Sequence, residues 1–228
     1  MTTTYFKAVR PDGFDFHTRT IDYGTAALSE SRTVTHPRPT INDSDASFYF
    51  SVATVPTDCT GFAWSRDGGA RLFEVEPTGD VWSPHADSMP NKRATTGLRI
   101  IRELPAWMLF GNEGERIISI IEQFDRLDPS TRQRLAGAWN SYYSIWWPTY
   151  SAVASDGRAD RAGLDAARIA LYYRLLGWRD DYAAYGAALA LLLRPLVGTT
   201  FTQGEYDVLS RPWRSIVGEI HPDDKAVK

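Results

Sequence analysis

The chain is poor in the residues that make metal and disulfide chemistry easy to read. There is one cysteine, Cys59, among 228 residues. A single thiol rules out an internal disulfide, and with no second cysteine near it a zinc knuckle is ruled out too; a reducing compartment is the expected setting. The four histidines, His17, His36, His85 and His221, are scattered, without His-x-x-x-His or Cys–His spacing, so no metal site is expected. No glycine-rich phosphate loop occurs; Asp67-Gly68-Gly69 reads as a hairpin turn. Charge of one sign is missing as well. Residues 1–111 carry 13 acids and 11 bases, residues 112–228 carry 15 and 14, and the net charge is −3. Neither half is a polycation, which disfavours nucleic-acid and membrane-surface partners. The most apolar window, residues 183–198, is too short to span a bilayer and contains Arg194 and Pro195. The first residues lack a charged start followed by an apolar run, so a cytoplasmic protein is expected.

What is present is enough apolar and aromatic material, 43% of residues, to fill a sizeable core. Its pattern changes once along the chain. Up to about Gly111 the text is strands and turns: YFKAV, an Asp12-Gly13 turn, SFYFSVAT (47–54), RLFEVEP (71–77) and GLRIIREL (97–104). SPHADSMPNKRATT (83–96) is polar and punctuated by prolines, which predicts a long loop, and loops of that length are often functional. Beyond Gly111 the spacing becomes helical. Ile117, Ile120, Ile121, Phe124 and Leu127 predict one helix. Asp128-Pro129 opens a second that should stop before Pro148. Residues 158–177 predict a third, and Asp180 or Asp181 a fourth. Ser210-Arg211-Pro212-Trp213 looks like the start of a last one. The expected organisation is an α+β domain over 1–111 and a helical domain over 112–228.

Two features of the pattern invite a functional reading. Glu74 and Glu76, two apart on a strand, share a face, as a catalytic pair would; the plainer reading is the wet side of a sheet, and it is the favoured one. SYYSIWWPTYS (141–151) is the densest aromatic cluster. Stacking on single-stranded nucleic acid needs a basic groove beside it, and the bases nearby are few, so core packing or a protein interface is expected. An exposed cluster would point to self-association or a partner protein. Cys59 has no base that the sequence places beside it, so a nucleophilic role is not expected.

RLFEVEPTGDV, a polar loop, and then GLRIIRELPAW together resemble the rifampin ADP-ribosyltransferase family, as do SFYFSVAT and TTTYFKAV; the likeness covers roughly residues 4–107. FKAV and PTDCTGFAW (56–64) also resemble an uncharacterised domain of phage and actinobacterial proteins. The tail EYDVLSRPWRSIVGEIHPDD (205–224) is similar to actinophage proteins without an established activity. The enzyme resemblance implies an ADP-ribosyltransferase-like split β-sandwich with NAD in the cleft. It implies a nicotinamide-stacking role for Tyr49 and a catalytic role for Asp87 in the loop. Lys7 falls where the family has a histidine on its first strand, so its implied role is cofactor contact. Lysine is a flexible cation where histidine is a directional, neutral donor. Beside a developing ribosyl cation it would repel the transition state.

The sequence therefore predicts an α+β fold followed by an all-helical domain, in a bacteriophage or prophage accessory protein. The first domain is expected to be ADP-ribosyltransferase-like and non-catalytic, and the second to bind a host or phage protein or another copy of the chain. The alternative is an NAD-dependent ADP-ribosyltransferase or NAD glycohydrolase acting through Tyr49 and Asp87.

Overall fold

A computed structural model describes residues 3–62, 69–155 and 181–224. The chain falls into two compact units, Met1–Leu109 and Phe110–Lys228, and is mixed α+β. The expected 158–177 helix and most of the Asp67-Gly68-Gly69 turn lie outside the described residues.

The first unit is a seven-stranded antiparallel sheet: β1 (Tyr5–Val9), β2 (Thr33–Thr35), β3 (Phe50–Ala53), β4 (Arg71–Pro77), β5 (Val81–Trp82), β6 (Lys92–Thr95) and β7 (Gly97–Leu104), with a short helix α1 (Tyr23–Leu28). The order across it is β2-β7-β4-β1-β3-β6-β5. Alternation builds its core: Val9, Phe50, Val52, Phe73, Val75, Leu98 and Ile100 point to one side and enclose Tyr23. Each large side chain fully buried this way contributes about 1.5–3 kcal/mol. At the turn predicted around Asp12, Gly13 adopts φ 91°, and a Cβ there would sit 2.8 Å from the Gly24 Cα. Only glycine allows α1 to dock so closely on this turn.

Hydrogen bonding links all seven strands in one sheet, but the join at its centre is thin. β1 pairs with β4 over five residues, whereas it meets β3 at a single pair, Phe6↔Ala53. The sheet thus consists of two leaves that part along most of the β1–β3 seam.

Two expectations fail in this unit. Residues 46–48 form a 3-10 turn, started by Asp45 accepting from the Ser47 N–H, so the strand begins at Phe50. The predicted loop 83–96 ends early because Lys92–Thr95 pairs with β3 as β6. Its half-buried basic residues disguise a strand as polar loop. The short strands β2 and β5 carry too few apolar residues to be predicted.

The second unit holds α2 (Gly114–Arg126), α3 (Pro129–Ser155), α4 (Asp181–Leu193) and α5 (Gln203–Arg214). α4 packs against the other three. Ala187, Ala188, Leu189, Ala190 and Leu191 are all fully buried, so it is a central helix surrounded on every side. Gly186 makes this possible. A Cβ there would lie 2.5 Å from the Leu209 carbonyl oxygen and 2.7 Å from the Trp146 Nε1, and that indole donates to the same carbonyl at 3.2 Å.

α3 does not stop before Pro148. The missing N–H frees only the Ser144 carbonyl, and both residues are exposed, so the freed carbonyl lies on the solvent side of the helix. Trp146 and Val153, buried on either side of the proline, hold the helix together across it. The last helix begins seven residues earlier than the Ser210 signal suggested. Thr202 and Glu205 form a reciprocal capping box, and Pro212 sits in its final turn.

Candidate functional site

The seam between the leaves opens into a cavity of about 260 Å³. Lys7 lines it because of its place in β1: two residues from both Tyr5 and Val9, it shares their face and so points to the core side. Its ammonium lies 5.5 Å from the centroid of the Tyr23 ring and donates to the Ser51 carbonyl at 3.0 Å. A side chain thereby reaches across the parted seam to a β3 backbone carbonyl. Among the described residues no carboxylate forms an ion pair with Lys7. Burial lowers its pKa to about 8, against the opposing pull of Cys59 and Asp15 and with help from the Lys92 charge.

Each other polar group around the cavity is held by a different element. Asp15 accepts from the backbone N–H of Thr18 at 2.6 Å, of Thr20 at 3.0 Å and of Ile21 at 2.9 Å. Burial pushes its pKa up, but these bonds outweigh burial and hold it below the usual carboxylate range. Its charge organises the turn, leaving little for a ligand. His36 follows β2 and is buried, and its Nδ1 accepts from the Arg38 N–H at 3.2 Å, which leaves the proton on Nε2. Burial depresses its pKa, so the ring is neutral near pH 7. Tyr23 is fully buried and its hydroxyl has no hydrogen-bond partner. Burial, with Asp15 nearby, raises its pKa well above the ordinary phenol value. Burial likewise pushes the Cys59 thiol up to about 12, so it is not a thiolate at neutral pH.

The three residues singled out in the sequence are not all at the cavity. Lys7 and Tyr49 line it; Asp87 is exposed in the turn after β5 and does not. Tyr49 is buried edge-on against Trp82, with centroids 5.6 Å apart, and its hydroxyl makes only a long 3.4 Å bond to the Ser44 carbonyl. The acids that do line the cavity are Asp15 and Asp58. Tyr23, His36 and Lys92 were missed. The one available signal was alternation, which puts Lys7 on an apolar face and predicts a lysine desolvated by its neighbours.

Glu74 and Glu76 lie away from this cavity. Both are paired across the strand with β7, Glu74 with the Arg102 Nε at 2.7 Å and Glu76 with the Arg99 Nε at 3.0 Å. They are the wet side of the sheet. In the helical unit the aromatic cluster divides by face: Trp139 and Trp146 are buried, while Tyr143, Ile145 and Trp147 are 42–52% exposed. Arg132 caps the end of α2, donating to the Phe124 and Leu127 carbonyls with its guanidinium over the Phe124 ring.

No family model, curated protein or solved structure matches the chain.

Proposed function

We propose that the sheet unit is an ADP-ribosyltransferase-like binding domain, a split sandwich in design, of a bacteriophage or prophage accessory protein. Its cleft receives the nicotinamide–ribose end of NAD and does not transfer ADP-ribose. The helical unit binds a host or phage protein through the exposed side of its aromatic cluster.

The observation that carries this reading is Lys7, an ammonium in the seam at the position where the resembled enzymes have histidine. The parted leaves supply a cleft, and its volume, about 260 Å³, is just under the usual 300–1,000 Å³ of drug-sized sites. That suits half of a dinucleotide better than a whole one. Tyr49 offers an aromatic wall. The charges argue against transfer. With a pKa of about 8, Lys7 is mostly cationic at pH 7. A unit charge roughly 4 Å from a forming ribosyl cation costs about 4 kcal/mol at an effective dielectric of 20, near three decades in rate. Asp15 is committed to backbone N–H groups, and Asp87 does not line the cavity.

Purified protein with millimolar NAD tests the reading. The expected result is a raised melting temperature, lost in Tyr49→Ala, with no nicotinamide released; saturation at a hundred times Kd adds about 2.7 kcal/mol. No shift and no calorimetric binding would end it. Nicotinamide release would replace it with an NAD glycohydrolase or transferase.

A further inference from the structure

The cavity contains a lysine placed as an amine nucleophile, and this stands apart from any binding of NAD. Lys7 sits on the central strand of the sheet, so its stem is fixed. Its Nζ has one carbonyl acceptor, one aromatic neighbour and, among the described residues, no carboxylate ion pair. A second cation, Lys92 on β6, lines the same cavity. A lysine desolvated beside another cation is the arrangement that activates amines toward carbonyl groups.

We propose that Lys7 forms an imine with a small aldehyde or ketone bearing a carboxylate or phosphate. The Nζ lone pair attacks the carbonyl carbon, and the carbinolamine expels its hydroxyl with a proton as water, leaving C=N. The water takes both of its protons from the amine nitrogen, so the step balances without an outside acid; the neutral His36 ring lines the cavity beside it. The anionic group is drawn by Lys92, with His17 and His85 lining the same space. The volume of about 260 Å³ limits the ligand to a compact molecule.

The groups facing Lys7 decide how labelling depends on pH. Tyr23 from α1, Asp15 from the turn before it, His36 after β2, Asp58 and Cys59 from the 3-10 turn after β3 and Lys92 from β6 line the cavity with it, as do His17, Tyr49 and His85. With burial dominating among them, the amine titrates at about 8. Roughly a fifth is then neutral at pH 7.4, against about one in a thousand for an ordinary lysine.

The chain has four lysines, Lys7, Lys92, Lys225 and Lys228, so one peptide map locates any adduct. Full-length protein is incubated with glyoxylate and cyanoborohydride, which reduces the imine to a stable carboxymethyl amine. The expected result is an adduct at Lys7 formed at least about tenfold faster than at Lys92 at pH 7.4, half-maximal near pH 8, and slower with uncharged propionaldehyde. Lys7→Met should abolish it and leave the other lysines as they were. An absent adduct, one spread evenly over the four, or labelling that keeps climbing past pH 10 overturns the proposal. The wild-type map and pH profile decide the matter even if the variant does not fold. Melting shifts with NAD on the same preparation keep the two readings apart: a shift without an adduct removes this proposal alone.

Discussion

Two desolvated charges, Asp224 in the helical unit and the half-buried Lys7 in the sheet unit, are treated in opposite ways. In the helical unit Asp224 has a side chain 1% exposed and is surrounded by donors. Tyr206 donates to Oδ1 at 2.7 Å, the Ile220 and His221 N–H groups donate to Oδ2 at 2.9 and 3.0 Å, and the Arg214 Nε lies 3.5 Å away. In the sheet unit Lys7 has one carbonyl, and the space in front of it is open. A buried charge met by three hydrogen-bond donors and a neighbouring cation holds a fold together. One left partly unanswered beside a cavity is a cost to the fold that a ligand can relieve, and perturbed groups of that kind gather at functional sites.

The sharpest way to break the comparison is to remove the satisfied charge. Asp224→Ala removes the buried carboxylate beside Arg214, which keeps its contact with Asp207, and strips Tyr206 and two backbone N–H groups of their acceptor. Removing one member of a buried pair costs about 3–5 kcal/mol, read as a lower urea midpoint of the helical unit's transition. A loss under about 1 kcal/mol would mean that water satisfies these donors and that the contrast is false. Gly186→Ala should come next, at roughly 1–3 kcal/mol. The new methyl meets the Leu209 carbonyl and the Trp146 indole, and neither can retreat without breaking their mutual bond.

Lys7→Met is expected to act in the opposite direction. It removes a desolvated charge and keeps the stem, at the expense of one hydrogen bond to Ser51, so the sheet unit should gain about 1 kcal/mol while losing ligand binding. The pH dependence has a definite sign. Lys7 binds its proton less well folded than unfolded, since its pKa falls from 10.5 to about 8. Its penalty is therefore present in full below pH 8, and stability rises between about pH 8 and 10.5 as the unfolded chain alone holds the proton. The expected pair of results is a urea midpoint that, from about pH 8 upward, runs progressively higher in wild type than in Lys7→Met, while the Cys59 thiol, raised from 9.0 to about 12, adds the same downward slope to both above about pH 9. Parallel curves would mean that the ammonium is hydrated and that the seam is no special place.

The two units were not equally legible in the sequence. Long strands with strict alternation, β1, β4 and β7, could be read, as could α2 with its isoleucine stripe, because local pattern and burial agree there. β6 could not. Lys92 and Arg93 look like loop residues until β3 lies beside them, and pairing of that kind is a property of two distant segments. Pro148 misled because a local rule against helix was outweighed by buried tryptophan and valine on both sides of it. The site was legible only in part. Lys7 and Tyr49 came from a resemblance, while Tyr23, His36, Asp15 and Lys92 reach the cavity from four different elements with no spacing to connect them. Asp87 was chosen by its position in a loop whose end β6 had already taken.

The smallest expected effect concerns the two glutamates that looked most like a catalytic pair. Their partners settle what they are for. Arg99 and Arg102 neutralise them on an open face, and Arg102 is itself 67% exposed. Exposed ion pairs hold long side chains in one geometry against solvent and salt, and they yield about 0.2–1 kcal/mol. Glu76→Gln should cost no more than that, should cost still less at high salt, and should leave both NAD binding and glyoxylate trapping unchanged. Loss of either activity in this variant would show that the wet face communicates with the seam through β4, whose Phe73 is the register partner of Lys7. The division between a structural and a functional charge would then no longer follow the two faces of the sheet.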